Sequence, residues 1–141
     1  MVLSSDQIKL VQDTFALVAP QADEAAQIFY ARLFELDPSL RPLFKHDLRE
    51  QGRKLMQMLS IAVHALDNIE SLLPALKALG DRHAGYGAQI EDYETVGAAL
   101  LWTLEQGLGE AFTPEVSEAW ATTYAVLVEA ATAHLFYQEP A

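Results

Sequence analysis

The chain has 141 residues, long enough to bury a sizeable core within one domain, and 51% of them are hydrophobic. It has no cysteine, which excludes disulfides, zinc–thiolate sites, iron–sulfur clusters and thioether-attached cofactors; nine basic residues against 20 acidic ones leave a net charge of −11 that repels nucleic-acid phosphates. No apolar run reaches the roughly 18 to 20 residues needed to span a membrane, and the N-terminus, Met1-Val2-Leu3-Ser4-Ser5-Asp6, carries no export signal, so a cytoplasmic protein is expected.

Helical periodicity runs through almost the whole chain, with no repeat, linker or strand alternation, and predicts an all-α domain over residues 1–141. Ser4 with Gln7 has the spacing of a capping box and opens a first helix to about Val18, stopped before Pro20. A second helix is expected from about Ala22 to Leu36. Pro38 then starts a short third one that ends near Phe44, and Lys45 to Leu48 form a polar corner. From about Arg49 to Asp67, Leu55, Leu59, Ala62, Val63 and Leu66 mark one face at steps of three and four. Asp67 and Asn68 close that helix, and Leu72, Leu76 and Leu79 lead into the next, towards His83. Gly85 and Gly87 break the chain, about Glu91 to Leu108 forms a further helix, and Thr113-Pro114 starts the last, through about Phe136. Trp102 and Trp120 are expected in the core.

Polar residues on apolar faces need a reason, because burial strips them of water. Gln51 lies four residues before Leu55 and eight before Leu59, on the same stripe. Tyr30 sits beside Phe29 and four residues before Phe34, and His83 ends a Leu-rich helix before a glycine-rich break. Singly, each has a plain structural reading: a solvated glutamine, a core tyrosine tied to a backbone carbonyl, a structural histidine. Ala26, one turn before Tyr30, and Gly52, next to Gln51, are small enough for their two helices to cross closely.

Taken together and in order, these residues change the reading. Phe44 follows Pro38 by six positions in Leu43-Phe44, and Tyr30 precedes Pro38 by eight. Gln51 and Leu55 stand one turn apart in Gln51-Gly52-Arg53-Lys54-Leu55, and His83, in Gly80-Asp81-Arg82-His83, follows Gln51 by 32. With its helix pattern the chain resembles a globin along nearly its whole length, most closely the bacterial single-domain haemoglobins related to the haem domain of flavohaemoglobins. The resemblance implies a globin fold of about seven to eight helices around one non-covalent haem b. It makes His83 the proximal iron ligand, Phe44 the ring packed on the haem, and Tyr30 and Gln51 the distal hydrogen-bond donors beside Leu55. Leu79, Tyr93 and Val96 would also face the cofactor, with Arg82, Lys54 and Arg53 as partners for its propionates. His46, His64 and His134 compete poorly with His83 as ligands.

Each residue type suits its implied role. A neutral imidazole ligates iron and leaves the opposite face open, an apolar Phe44 and Leu55 keep that face dry, and dioxygen polarised by the iron accepts from a hydroxyl and an amide. In flavohaemoglobins a tyrosine and a glutamate support the proximal imidazole. Tyr93 matches the tyrosine, but eleven residues after Tyr124 stands Leu135 rather than glutamate, and Glu139 is one turn further on. Without that carboxylate, His83 is expected to donate to the Leu79 carbonyl instead. The expected ligands are dioxygen, nitric oxide and carbon monoxide. The implied role is oxygen handling or transport, or nitric oxide detoxification as a dioxygenase dependent on a separate reductase. Gas sensing without turnover, or a haemless globin-fold interaction module, are the other readings.

Overall fold

Ser4 opens the first helix as its spacing predicts. In the computed structural model, which describes residues 3–44 and 47–136 apart from the side chains of 134 and 136, the Ser4 hydroxyl accepts from the Gln7 N–H at 3.1 Å. The Gln7 side chain accepts in turn from the Ser4 N–H at 3.0 Å. That helix, α1, covers Ser5–Val18 and buries Val11, Phe15 and Val18, and a 3₁₀ turn at Ala19–Gln21 carries the chain past Pro20 into α2, Ala22–Leu36.

The segment after Pro38 is a 3₁₀ helix, Pro38–Leu43, rather than an α-helix. Pro42 lies inside it and offers no N–H to an i→i−4 ladder, so the chain keeps the tighter winding. Next, α3 runs Leu48–His64, capped by the Asp47 carboxylate on the Arg49 N–H at 3.0 Å. It ends earlier than the expected Asp67. Ala65 leaves helical geometry, and Leu66–Leu72 continues as 3₁₀ structure interrupted at Asn68.

Helix α4, Leu73–Gly85, is followed by Gly87 at φ +91°, a conformation that a side chain would oppose, and this turn leads into α5, Ile90–Leu108. Thr113 caps α6, Pro114–Phe136, through its hydroxyl and the Val116 N–H at 3.2 Å. Six α-helices therefore form among the described residues, one or two fewer than expected, because the shortest elements wind as 3₁₀ turns. The class is all-α.

Small residues set how the helices meet. At the α2–α3 crossing, a Cβ on Gly52 would lie 2.8 Å from the Ala26 Cβ, so the two backbones approach as closely as the sequence suggested. At the α4–α6 contact, a Cβ on Gly80 would run into the backbone carbonyl of Ala131. We expect Gly80→Ala to destabilise the fold by about 3 kcal/mol, the upper end of overpacking costs, because the obstacle is backbone and cannot rotate away. Urea unfolding of the variant checks this, and a loss under about 1 kcal/mol would mean that α4 and α6 can separate cheaply.

Two apolar clusters result. The larger joins Val11, Phe15, Phe29, Tyr30, Leu33, Leu100 and Trp120. The smaller joins Ala62, Leu72, Leu76 and Ala131 beneath α4. Trp120 is 1% exposed, and its indole N–H donates to the Thr14 hydroxyl at 2.9 Å. Trp102 corrects an expectation: it is 38% exposed, not core. It shares an α5 face with Glu94, Ala98 and Glu105, all exposed, and the Arg32 guanidinium stacks 4.2 Å above its ring.

Candidate functional site

Tyr30 comes to its position because α2 buries one face, with Ala26, Phe29 and Leu33 alongside. Its ring meets Phe44 edge-on at 5.4 Å between centroids and stacks on Phe34 at 6.1 Å, while Phe34 and Phe44 meet at 5.4 Å. Three aromatic rings thus wall one side of the site, and Phe34 is a member that sequence spacing alone did not single out. Leu55, Phe44 and Val96, all half-buried, pack against the same core cluster as Tyr30.

Tyr30 is only 6% exposed, yet among the described residues its hydroxyl has no hydrogen-bond partner. Burial pushes its pKa from the ordinary 10.0 up to about 12, so it remains a neutral donor at any physiological pH. A core tyrosine would ordinarily tie that hydroxyl to a carbonyl. Gln51, half-buried beside Gly52 at the helix crossing, likewise has a side-chain amide without a partner among the described residues. Two neutral donors are therefore left over by the fold, on α2 and α3.

His83 lies in the last turn of α4 and is half-buried. Its Nδ1 lies 2.8 Å from the Leu79 carbonyl oxygen. A carbonyl only accepts, so Nδ1 carries the proton and Nε2 keeps its lone pair. This is the hydrogen bond expected from Leu135 standing where the resemblance places a glutamate. The His83 ring also tilts against Tyr93 at 6.3 Å and meets Tyr86 edge-on at 6.1 Å.

Helix α5 links the two groups. Tyr93 touches His83, and Val96, one turn on, packs in the cluster that holds Tyr30, Phe44 and Leu55. Tyr124 of α6 anchors the start of this helix, donating its hydroxyl to the Tyr93 carbonyl at 2.6 Å and lying where a Cβ on Gly97 would be. Burial raises the pKa of Tyr124, and that of Tyr93 is raised by burial and by the Asp92 charge, so both stay protonated. The sequence signal for Tyr124 was slight: a small residue on α5 that makes room for a ring.

The remaining residues divide. Arg82 is exposed next to His83, and Lys54 is exposed on α3. Arg53 lines a groove of about 290 Å³ with Phe15, Asp23 and Met56, on the side of α3 turned away from Gln51 and Leu55. His64 is exposed and bound within its own helix, Nδ1 to the Ser60 carbonyl at 2.7 Å. His46, Glu139 and the side chain of His134 lie outside the described residues. Among the described residues no three His, Asp or Glu side chains converge as a metal site, and no helix is long and apolar enough to cross a membrane.

Residues 27–131, which include Tyr30, Phe44, Gln51 and His83, match the family model described as Globin. The chain is 33% identical over 133 residues to flavohemoproteins of Bacillus cereus and Bacillus anthracis. The match takes in 92% of this chain but 32% of each relative, so the chain spans about a third of the flavohemoproteins' length. Neuroglobin of Danio rerio is 30% identical over 144 residues, covering 92% of this chain and 91% of that protein. The chain belongs to the globin family.

Proposed function

We propose that this globin holds one non-covalent haem b, with His83 as its single protein ligand, and binds diatomic gases on the opposite face. The observation that carries the reading is the pairing of an imidazole whose Nδ1 is taken by the Leu79 carbonyl with a mostly buried tyrosine whose hydroxyl has no hydrogen-bond partner among the described residues. No bare-metal ligand set converges among the described residues, so a metal at His83 would have to arrive with its other ligands already in place, as a macrocycle supplies them. When bound, haem would supply an iron able to take up dioxygen, nitric oxide or carbon monoxide.

The chain's own residues then have distinct tasks. The Leu79 carbonyl fixes the His83 tautomer and ring plane. Phe44, Leu55 and Val96 exclude water, and Tyr93 steadies the proximal ring. Tyr30 and Gln51 would donate hydrogen bonds to a bound gas, and Arg82 and Lys54 would serve the propionates. Arg53 faces the groove beside Asp23 and takes no part in this reading.

The physiological role we propose is oxygen handling that extends to nitric oxide removal. Nitric oxide, dioxygen and one electron give nitrate, the electron coming from a reductase on another polypeptide or another domain. The flavohemoproteins' name, with its flavin and haem together, favours such a coupling. The test is a reduced-minus-carbon-monoxide difference spectrum of the purified protein. A reversible gas-dependent shift is expected, and a protein blind to carbon monoxide would contradict gas binding.

A pH dependence follows from the donors. Tyr30, held near 12, and Gln51, which does not titrate, keep their donor hydrogens throughout, so oxygen dissociation is expected to vary little between about pH 5 and 8. Stopped-flow measurement across that range checks it; acid acceleration with a histidine-like midpoint, with haem retained, would point to a histidine donor. Stability behaves differently at the alkaline end. The unfolded chain's tyrosines ionise near 10 while buried Tyr30 does not, so stability falls as pH rises above about 10.

A further inference from the structure

Tyr86 takes no part in the gas site, yet it is 61% exposed while its ring edge rests against His83, at 6.1 Å between centroids. It is the residue that caps α4, held by its N–H on the His83 carbonyl at 3.1 Å, so the pairing is fixed by the end of the helix that carries the ligand. We propose that Tyr86 is the site at which oxidising equivalents from a hydroperoxide leave the proximal side, and so the residue that is modified under peroxide stress. The inference rests on the haem reading above.

Two requirements single out Tyr86 among the described tyrosines. Oxidising a phenol removes a proton with the electron, so the ring needs both a short path to the oxidant and somewhere to send the proton. Tyr86 has an edge contact to the proximal imidazole and a face in water, which takes the proton. Tyr30 is only 6% exposed, and its hydroxyl has no acceptor among the described residues. Tyr93 touches His83 but is half-buried, so it offers another molecule less of its ring than Tyr86 does. Tyr124 spends its hydroxyl on the Tyr93 carbonyl.

The step balances over two chains. Each Tyr86 gives one electron towards the haem and one proton to water, and the two rings join by a carbon–carbon bond ortho to the hydroxyls. The hydroperoxide takes up the two electrons and two protons, its O–O bond breaks, and an alcohol and a water molecule remain. With a net charge of −11 per chain, encounter of two copies is opposed at low ionic strength and eased by salt.

The experiment treats the haem-loaded protein, its Soret band recorded first, with tert-butyl hydroperoxide at moderate salt, with and without a nitroso spin trap. The expected result is a covalent dimer with dityrosine fluorescence and a trap adduct, both mapped by mass spectrometry to the peptide holding Tyr86. Tyr86→Phe should lose dimer and adduct while keeping the Soret band. Dimer and adduct undiminished in Tyr86→Phe, or their absence from the haem-loaded wild type, would overturn the assignment while leaving the haem reading intact. Failure to form any Soret band would overturn both.

Discussion

Tyr30→Phe is expected to speed oxygen dissociation by roughly 10- to 150-fold and carbon monoxide dissociation by only a few-fold. A hydrogen bond to a charged acceptor contributes roughly 1.5–3 kcal/mol, which sets that range. Most of it should fall on the off-rate, since the bond forms only after the ligand has arrived, and bound carbon monoxide is less polar than dioxygen. The structure adds a control. The hydroxyl has no partner among the described residues, so removing it breaks no internal hydrogen bond. Stability should therefore be unchanged or slightly higher, where a hydroxyl tied to the backbone would cost about 1 kcal/mol. Gln51 can cover part of the loss, so Tyr30→Phe with Gln51→Leu should be faster still and not additive. An oxygen off-rate that stays the same in Tyr30→Phe would mean that the hydroxyl does not meet the ligand.

His83→Ala is expected to abolish stable haem retention, or to leave a site that regains haem only with added imidazole, whereas His64→Ala should retain it. The contrast follows from what each ring does. Nδ1 of His83 donates to the Leu79 carbonyl and Nε2 is left to ligate, while His64 sits exposed at the end of α3, turned towards the Ser60 carbonyl and the Phe15 ring. Because His83 is half-buried and makes no other hydrogen bond among the described residues, its loss should change global unfolding far less than haem binding. Haem transfer to an excess of apomyoglobin measures retention directly. Equal transfer rates for wild type and His83→Ala would show that another group holds the iron.

Most of the helical frame could be read from local chemistry. The Ser4–Gln7 box, the Thr113 cap and the Ala22–Leu36 limits depend on residues within one turn of each other, and the structure has them as expected. The close α2–α3 crossing was legible as well, because only small residues allow it and Ala26 and Gly52 stood at the right places. The His83–Leu79 hydrogen bond followed from Leu135 standing where the resemblance places a glutamate, and from i, i−4 geometry.

Part of what escaped the sequence depends on contacts between distant segments. Trp102 looks like core by type, but its neighbours one turn away are Ala98 and Glu105, and Arg32 from another helix covers its ring. The hydrogen bond from Tyr124 to the Tyr93 carbonyl joins residues 31 apart and has no local signature. Tyr86 reads as an ordinary helix-end residue until the fold of the α4 terminus brings it onto His83. The 3₁₀ windings at Pro38–Leu43 and Leu66–Leu72 separate from α-helix by one hydrogen-bond register, a difference that hydrophobic spacing does not resolve.

The most direct test of the account is a haem titration of the purified chain followed by absorption spectroscopy and acid–acetone extraction. The account predicts a Soret band that saturates at one haem per chain, a ferrous form that shifts with carbon monoxide, and a haem that leaves the polypeptide intact on extraction, since no cysteine can tether it. A chain that takes up no haem, or one whose haem stays with the polypeptide after extraction, would contradict it.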